Sequence, residues 1–280
     1  MQRCCGAVRE GPEPRGVASA PGHGQAHHSH ALTGGGRLPV TAVLEVEGLV
    51  KSFGGVVAVD GVSFSLPSGT VLGVIGPNGS GKTTLLNLLN GVHRPTAGRV
   101  RFAGMDVTGT PPDRLAALGV MRTFQNTRVF RTLTVFQNMM VPLLHRPVGP
   151  GAASRRAMEL LERVGLKGMA QSAASELSGG QQRLLEFARA LMTGPRLVLM
   201  DEPFAGVHPA VVEVMSRHMQ ALRAEGTSFV VVSHEIPVLM ALSDRVICLD
   251  RGKVIAEGTP EEIRNNEAVI EAYLGSAAHS

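Results

Sequence analysis

The sequence has no uninterrupted apolar run near the ~18–20 residues that a membrane-crossing helix requires. Its strongest runs, such as Phe229-Val230-Val231-Val232, are of strand length. The chain is therefore expected to be soluble by itself, and any membrane path it serves must come from other chains. Cysteine is scarce: Cys4, Cys5 and Cys248 form no C-x-x-C pair and no disulfide framework. That excludes a stapled secreted domain and fits a reducing cytoplasm. Charge of one sign is also lacking. A formal net charge of +4 is mild and gives no case for nucleic-acid binding, which needs a clustered basic face. No internal repeat and no sustained heptad run are visible, which argues for one folded unit without coiled-coil insertions.

Residues 1–40 lack a periodic apolar pattern. They hold eight glycines, four prolines and His23, His27, His28 and His30. So little apolar surface cannot offset the entropy of ordering, and the segment is expected to be a disordered tail. Its histidines match no defined metal-site spacing. It also lacks the apolar core of a secretory signal.

What is present begins at Gly76-Pro77-Asn78-Gly79-Ser80-Gly81-Lys82-Thr83, a complete G-x-x-x-x-G-K-[ST] loop. The apolar run Thr70–Ile75 before it reads as a buried strand, and Thr83–Leu89 after it reads as a helix. Gly76, Gly79 and Gly81 let the backbone curl so that successive N–H groups point inward, while the helix N-terminus favours an anion. Lys82 would reach the terminal phosphates of a nucleoside triphosphate, and the Thr83 hydroxyl would help hold Mg2+.

From residue 41 onward strands and helices alternate, which predicts an α/β protein with a mostly parallel sheet covered on both faces. Ala42–Val50, Val56–Leu66 and Gly98–Phe102 read as strands, the first two antiparallel. Val120–Gln125 reads as a short strand and residues 135–175 as helix-rich. Leu197–Met200 and Phe229–Val232 read as buried parallel strands flanking a helix near Pro209–Ala224. Arg245–Leu249 and Lys253–Ala256 form a hairpin across Asp250-Arg251-Gly252, and a helical tail ends at Tyr273-Leu274.

Two further clusters follow. Leu197-Val198-Leu199-Met200-Asp201-Glu202 delivers carboxylates to the C-terminal edge of a strand, where ligands sit in open parallel sheets. Asp201 there would support Mg2+, directly or through water. Leu177-Ser178-Gly179-Gly180-Gln181 precedes a helix read as Gln181–Met192, so it offers N–H groups, a hydroxyl and a helix dipole to an anion. A plain helix capped by Ser178 fits the same residues.

With the phosphate loop, LSGGQ at 177–181 and Asp201-Glu202 in this order, residues 43–275 resemble the ATP-binding cassette family. The resemblance implies a P-loop NTPase core with an antiparallel β subdomain and an α-helical subdomain. Residues 41–275 would form the cassette, with its helical part at about 126–178, and 276–280 a short tail. It implies ATP and Mg2+ as cofactors and ATP hydrolysis as the activity. Glu202 would be the general base, His234 the switch histidine that contacts the γ-phosphate and positions Glu202 and water, and Gln125 the glutamine that binds Mg2+ or the attacking water. Phe53, in Lys51-Ser52-Phe53-Gly54-Gly55, matches the aromatic that stacks on adenine; the family more often has Tyr there. The ATP-binding set comprises Phe53, Gly76, Pro77, Asn78, Gly79, Ser80, Gly81, Lys82, Thr83 and Thr84, with Ser178, Gly179, Gly180 and Gln181 facing the ATP of a second cassette. Thr83, Gln125 and Asp201 make the metal set.

Arg122-Thr123-Phe124-Gln125-Asn126-Thr127-Arg128-Val129-Phe130 and the ending Val254–Pro260 with Val269–Gly275 resemble ATPase subunits of branched-chain amino acid importers. That implies two transmembrane permease subunits, a second ATPase subunit (identical or sister) and, indirectly, an extracytoplasmic solute-binding protein, with this chain on the cytoplasmic face of the membrane. Another membrane transporter of the family, or a soluble cassette ATPase, is the alternative. One position departs from the pattern. His208 stands where the family usually has Asp, or often Asn in the amino acid importers, and it is expected to cap the helix starting at Pro209 poorly.

Overall fold

Five-residue strands buried at every position form the centre of the fold, because continuous Val/Leu/Ile runs are stable only where both sheet faces are covered. A computed structural model describes residues 42–123, 128–144 and 146–277 of the chain, so the N-terminal segment expected to be disordered lies outside the described residues. The elements in order are β1 (Ala42–Phe53), β2 (Val56–Pro67), β3 (Val71–Ile75), α1 (Lys82–Leu89), β4 (Ala97–Phe102), β5 (Met105–Asp106), α2 (Pro112–Leu118) and β6 (Val120–Arg122). Then come α3 (Val135–Met140), α4 (Pro150–Arg163), α5 (Gly179–Leu191), β7 (Leu197–Asp201), α6 (Pro209–Ala224), β8 (Ser228–Val232), α7 (Ile236–Leu242), β9 (Arg245–Asp250), β10 (Lys253–Gly258), α8 (Pro260–Arg264) and α9 (Glu267–Ala277). Short 3₁₀ turns join the helices around α4.

Among the described residues the strands form two sheets, ordered β2-β1-β4-β5 and β10-β9-β3-β8-β7-β6. The first is antiparallel throughout. In the second, β9, β3, β8, β7 and β6 run parallel and β10 closes the edge as an antiparallel hairpin strand. Side chains alternate across this sheet with period two. Val198 and Met200 face one core with Phe187, Phe204 and Phe229, whereas Leu197 and Leu199 face the other with Leu85, Leu86 and Phe102.

The parallel register decides where function can sit. Asp201 pairs with Val232, and Val232 in turn with Val74, so β3, β7 and β8 end at one level. Arg122, at the end of β6, lies opposite Leu199, two residues inside that rim. The phosphate loop, Asp201-Glu202 and Ser233-His234 therefore leave the sheet along a single edge, the carboxyl edge at which open α/β sheets take their ligands.

Among the boundaries that differ from expectation, two have a visible cause. The helix after LSGGQ starts at Gly179, two residues earlier than read. Ser178 caps it and Gln181 reaches back to the Ser178 N–H, a reciprocal box that draws both glycines into the first turn. The C-terminal helical tail is two helices, α8 and α9, separated at Asn265–Asn266, with Thr259 capping the first.

Candidate functional site

The phosphate loop joins β3 to α1, and its backbone is one that side chains would forbid. Gly76, Gly79 and Gly81 have φ of 144, 77 and 102°. A Cβ on Gly76 would come within 2.1 Å of the Leu249 carbonyl oxygen, and one on Gly81 within 2.3 Å of the Ala58 carbonyl oxygen. The loop is thus wedged between the β9 and β2 backbones, and only glycine fits. The α1 N-terminus has no side-chain cap, so its first N–H groups face outward for an anion. Lys82 is buried; its Nζ donates to the carbonyls of Gly76 at 2.7 Å and Pro77 at 2.8 Å. Burial pushes the ammonium below its usual pKa, against the pull of Glu202, Cys248 and Asp201.

Asp201 closes β7 and Glu202 follows it, both buried. Glu202 has φ of 48°, left-handed backbone in a residue with a full side chain, of the kind retained where the surroundings over-determine it. The surroundings are visible. Its N–H donates to the Val232 carbonyl at 2.9 Å. Its carboxylate accepts from the His234 backbone N–H at 3.0 Å, and the His234 ring Nε2 stands 3.2 Å from the other oxygen. The buried carboxylate and the half-exposed imidazole (7% and 52% exposed) thus form one unit at the mouth of the site.

A cavity of about 250 Å³ is lined by Ala58, the loop from Asn78 to Thr84, Glu202 and His234. It brings together Asn78, Gly79, Ser80, Gly81, Lys82, Thr83 and Thr84 with two of the three expected catalytic residues. Gln125 lies outside the described residues. Gly76 and Pro77 are placed behind the cavity, bonded to Lys82. The donor set, an uncapped helix N-terminus plus a lysine, with Thr83 exposed in the same lining as Glu202, fits a polyphosphate and a divalent cation. A larger cavity of about 540 Å³ between α6 and α7 is lined mainly by apolar side chains such as Phe204, Val207, Val212 and Val238, which lack the donors phosphate needs.

Phe53 closes β1 and is 44% exposed, its ring edge-on to His93 at 5.2 Å with the Lys51 ammonium 5.0 Å from its centroid. It is not a core phenylalanine; the ring is open for stacking. Ser178, Gly179, Gly180 and Gln181 sit at the start of α5, where Ser178 Oγ accepts from the Gln181 N–H at 3.3 Å and its own N–H donates to Gln181 Oε1 at 2.9 Å. None of the lining residues of the cavity comes from this segment.

His208 corrects an expectation. Its Nδ1 accepts from the Ala210 N–H at 3.2 Å, so it does cap α6. A neutral imidazole offers an acceptor nitrogen at about the reach of an Asn or Asp oxygen.

Three side chains that sequence reasoning did not single out shape the site. Arg122, at the end of β6, pairs with Asp201 at 3.0 Å, both side chains nearly inaccessible, and also donates to Asn87 of α1. Arg183, one turn into α5, donates to the carbonyls of Glu202 at 2.8 Å and Pro203 at 3.1 Å and pairs with buried Glu186 at 3.1 Å. Tyr273 of α9 accepts from the Gly76 N–H at 2.9 Å. Arg122 stands in the stretch quoted above, but its partner is 79 residues away, and no local pattern names such a pair.

Residues 59–205 match the family model described as ABC transporter. The chain belongs to the ATP-binding cassette transporter family. As a cassette ATPase it also matches, over residues 253–279, the model described as branched-chain amino acid ATP-binding cassette transporter. It is 39% identical over 252 residues to the high-affinity branched-chain amino acid transport ATP-binding protein BraF of Pseudomonas aeruginosa, covering 84% of this chain and 98% of the relative. It is also 39% identical to the corresponding protein LivG of Escherichia coli, with the same shares covered. The ADP conformation of a solved cassette of an ABC transporter superposes with a TM-score of 0.77 at 34% identity, over 84% of this chain and 99% of that one. A nucleotide-free cassette gives 0.75 at 36% identity, over 83% and 98%.

Proposed function

We propose that this cassette is the ATP-hydrolysing subunit of a membrane importer for branched-chain amino acids or related small amides, working at the cytoplasmic face of the membrane. The observation that carries the reading is the convergence of the phosphate loop, Glu202 and His234 on one cavity, in a chain 39% identical to a branched-chain amino acid transport ATP-binding protein.

Residues 41–275 form the cassette, its helical part at about 126–178. Gly76 to Thr84 cradle the triphosphate of ATP, and Lys82 exchanges its carbonyl partners for the terminal phosphates. Phe53 stacks on adenine. Thr83, Asp201 and Gln125 hold Mg2+, which when bound neutralises charge on the phosphates. Glu202 takes the proton of the attacking water as general base, while His234 keeps its carboxylate in place and contacts the γ-phosphate. Ser178, Gly179, Gly180 and Gln181 face the γ-phosphate held by a second cassette, identical or a sister chain. Closure of the pair on ATP and its reopening after hydrolysis drive two permease subunits, which receive solute from an extracytoplasmic binding protein. No helix among the described residues is long and apolar enough to cross a membrane, so the path belongs to the permeases.

Equilibrium binding of ATP to the purified chain tests the first step. Lys82→Ala is expected to abolish binding, and an unchanged affinity would remove the phosphate-loop assignment.

A further inference from the structure

The first peptide of the phosphate loop is held from both sides. Its carbonyl, on Gly76, takes the Lys82 ammonium at 2.7 Å, and its N–H donates to the Tyr273 hydroxyl at 2.9 Å. Tyr273 lies 197 residues further along the chain, on α9. That helix is seated by packing: Val269 is buried, and Tyr273 shares an apolar groove with Ile75 at the end of β3, Ile263 of α8, and Ile236 and Met240 of α7, the helix that leaves from His234. The same peptide cannot shift toward β9, because the Leu249 carbonyl already fills the space beside Gly76.

We propose that Tyr273 is a positioning residue for ATP binding, its hydroxyl fixing the Gly76 peptide so that the phosphate loop is pre-shaped before the nucleotide arrives. The inference rests on the nucleotide-site reading above. Once Lys82 turns to the phosphates, the Gly76 peptide loses its grip on the carbonyl side, and the Tyr273 hydroxyl is the bond left on the N–H side. A loop ordered in advance binds without the entropy loss of ordering it in the complex. Burial pushes the Tyr273 phenol above its usual pKa, so it stays a neutral hydroxyl, an acceptor for Gly76 with a proton of its own, at neutral pH.

The composition supplies an unusual probe: Tyr273 is the sole tyrosine and the chain has no tryptophan. Tyrosine emission of the unaltered full chain therefore reports on this one hydroxyl, and it is expected to change on saturation with ATP. Tyr273→Phe keeps the ring in its groove and removes only the oxygen. It is expected to raise KM for ATP roughly fivefold, the equivalent of one net hydrogen bond, with kcat unchanged. Val269→Ala loosens the helix that carries the hydroxyl, and its KM is expected to rise as well, with kcat unchanged. Constant emission on ATP saturation, an unchanged KM in Tyr273→Phe, or a loss of kcat without a change in KM would each overturn the proposal. Direct measurement of ATP binding to the parent separates these outcomes from failure of the nucleotide reading, since a parent that binds no ATP would remove both.

Discussion

Glu202 is the residue on which geometry and chemistry press hardest. Its left-handed backbone is held by Val232, its carboxylate by two groups of His234, and its carbonyl by Arg183. Such over-determination holds a carboxylate at the cavity that the phosphate loop lines, as the general-base role proposed for Glu202 requires. Replacing it with the isosteric amide keeps the shape and removes the basicity. Glu202→Gln is expected to bind ATP as the parent does and to release phosphate roughly 10²- to 10⁴-fold more slowly; release at the parent rate would remove Glu202 as the base. Cys248, buried in β9 behind the loop, yields a second prediction. Burial, with Asp250 next, pushes its thiol up to about 11, opposed by Lys82. The native state thus binds the thiol proton more tightly than the unfolded chain does. Stability is unaffected below the ordinary value of 9.0 and falls as pH rises from there toward 11. Urea unfolding at pH 8 and pH 10.5 should show a smaller pH-induced loss in Cys248→Ala than in the parent.

At the scale of elements, much of the site was legible because its signals are contiguous. A buried strand, a glycine turn and a helix lie within residues 70–89, and Asp201-Glu202 ends a run of four apolar residues. His234 was read from its place just past a buried strand, and the parallel register of β7 and β8 is what sets it against Glu202. The start of α5 was misread, although Ser178 and Gln181 are spaced as a capping box, because glycines so often stand outside helices. His208 was misjudged because cap preferences rank residues on average, and its Nδ1 reaches the Ala210 N–H all the same. The long-range ties were not legible at all. Arg122 joins β6 to the end of β7 and to α1, three elements far apart in sequence, through a pair whose side chains are 6% and 5% exposed. Removing one member leaves a buried charge, so Arg122→Met is expected to lower the unfolding free energy by roughly 3 kcal/mol. The double variant Arg122→Met/Asp201→Leu should recover most of that loss in urea unfolding, since no lone charge remains; a double variant no more stable than the single would deny the pair its role.

At the scale of the molecule, both sheets contribute to the candidate site. The parallel sheet supplies the phosphate loop, Glu202 and His234 from its carboxyl edge, while the antiparallel sheet sets Ala58 in the cavity lining against Gly81. Ser178 and Gly179 are exposed at the start of α5 and do not line the cavity of their own molecule, which leaves them free for the second cassette that the proposed function calls for. The chain spans 98% of the branched-chain amino acid transport relative from Pseudomonas aeruginosa, so the comparison covers the catalytic edge and the C-terminal helices alike.

Whether this cassette powers an importer is decided by what it binds when locked on ATP. Tagged Glu202→Gln protein with saturating ATP is to be recovered from detergent-extracted cells that make it at its native level, and its partners identified by mass spectrometry. Two multi-span permeases and a cassette ATPase are expected, with an amino acid-binding protein associated. Recovery of partners with no membrane span, from a variant shown to be folded and ATP-bound, would contradict it.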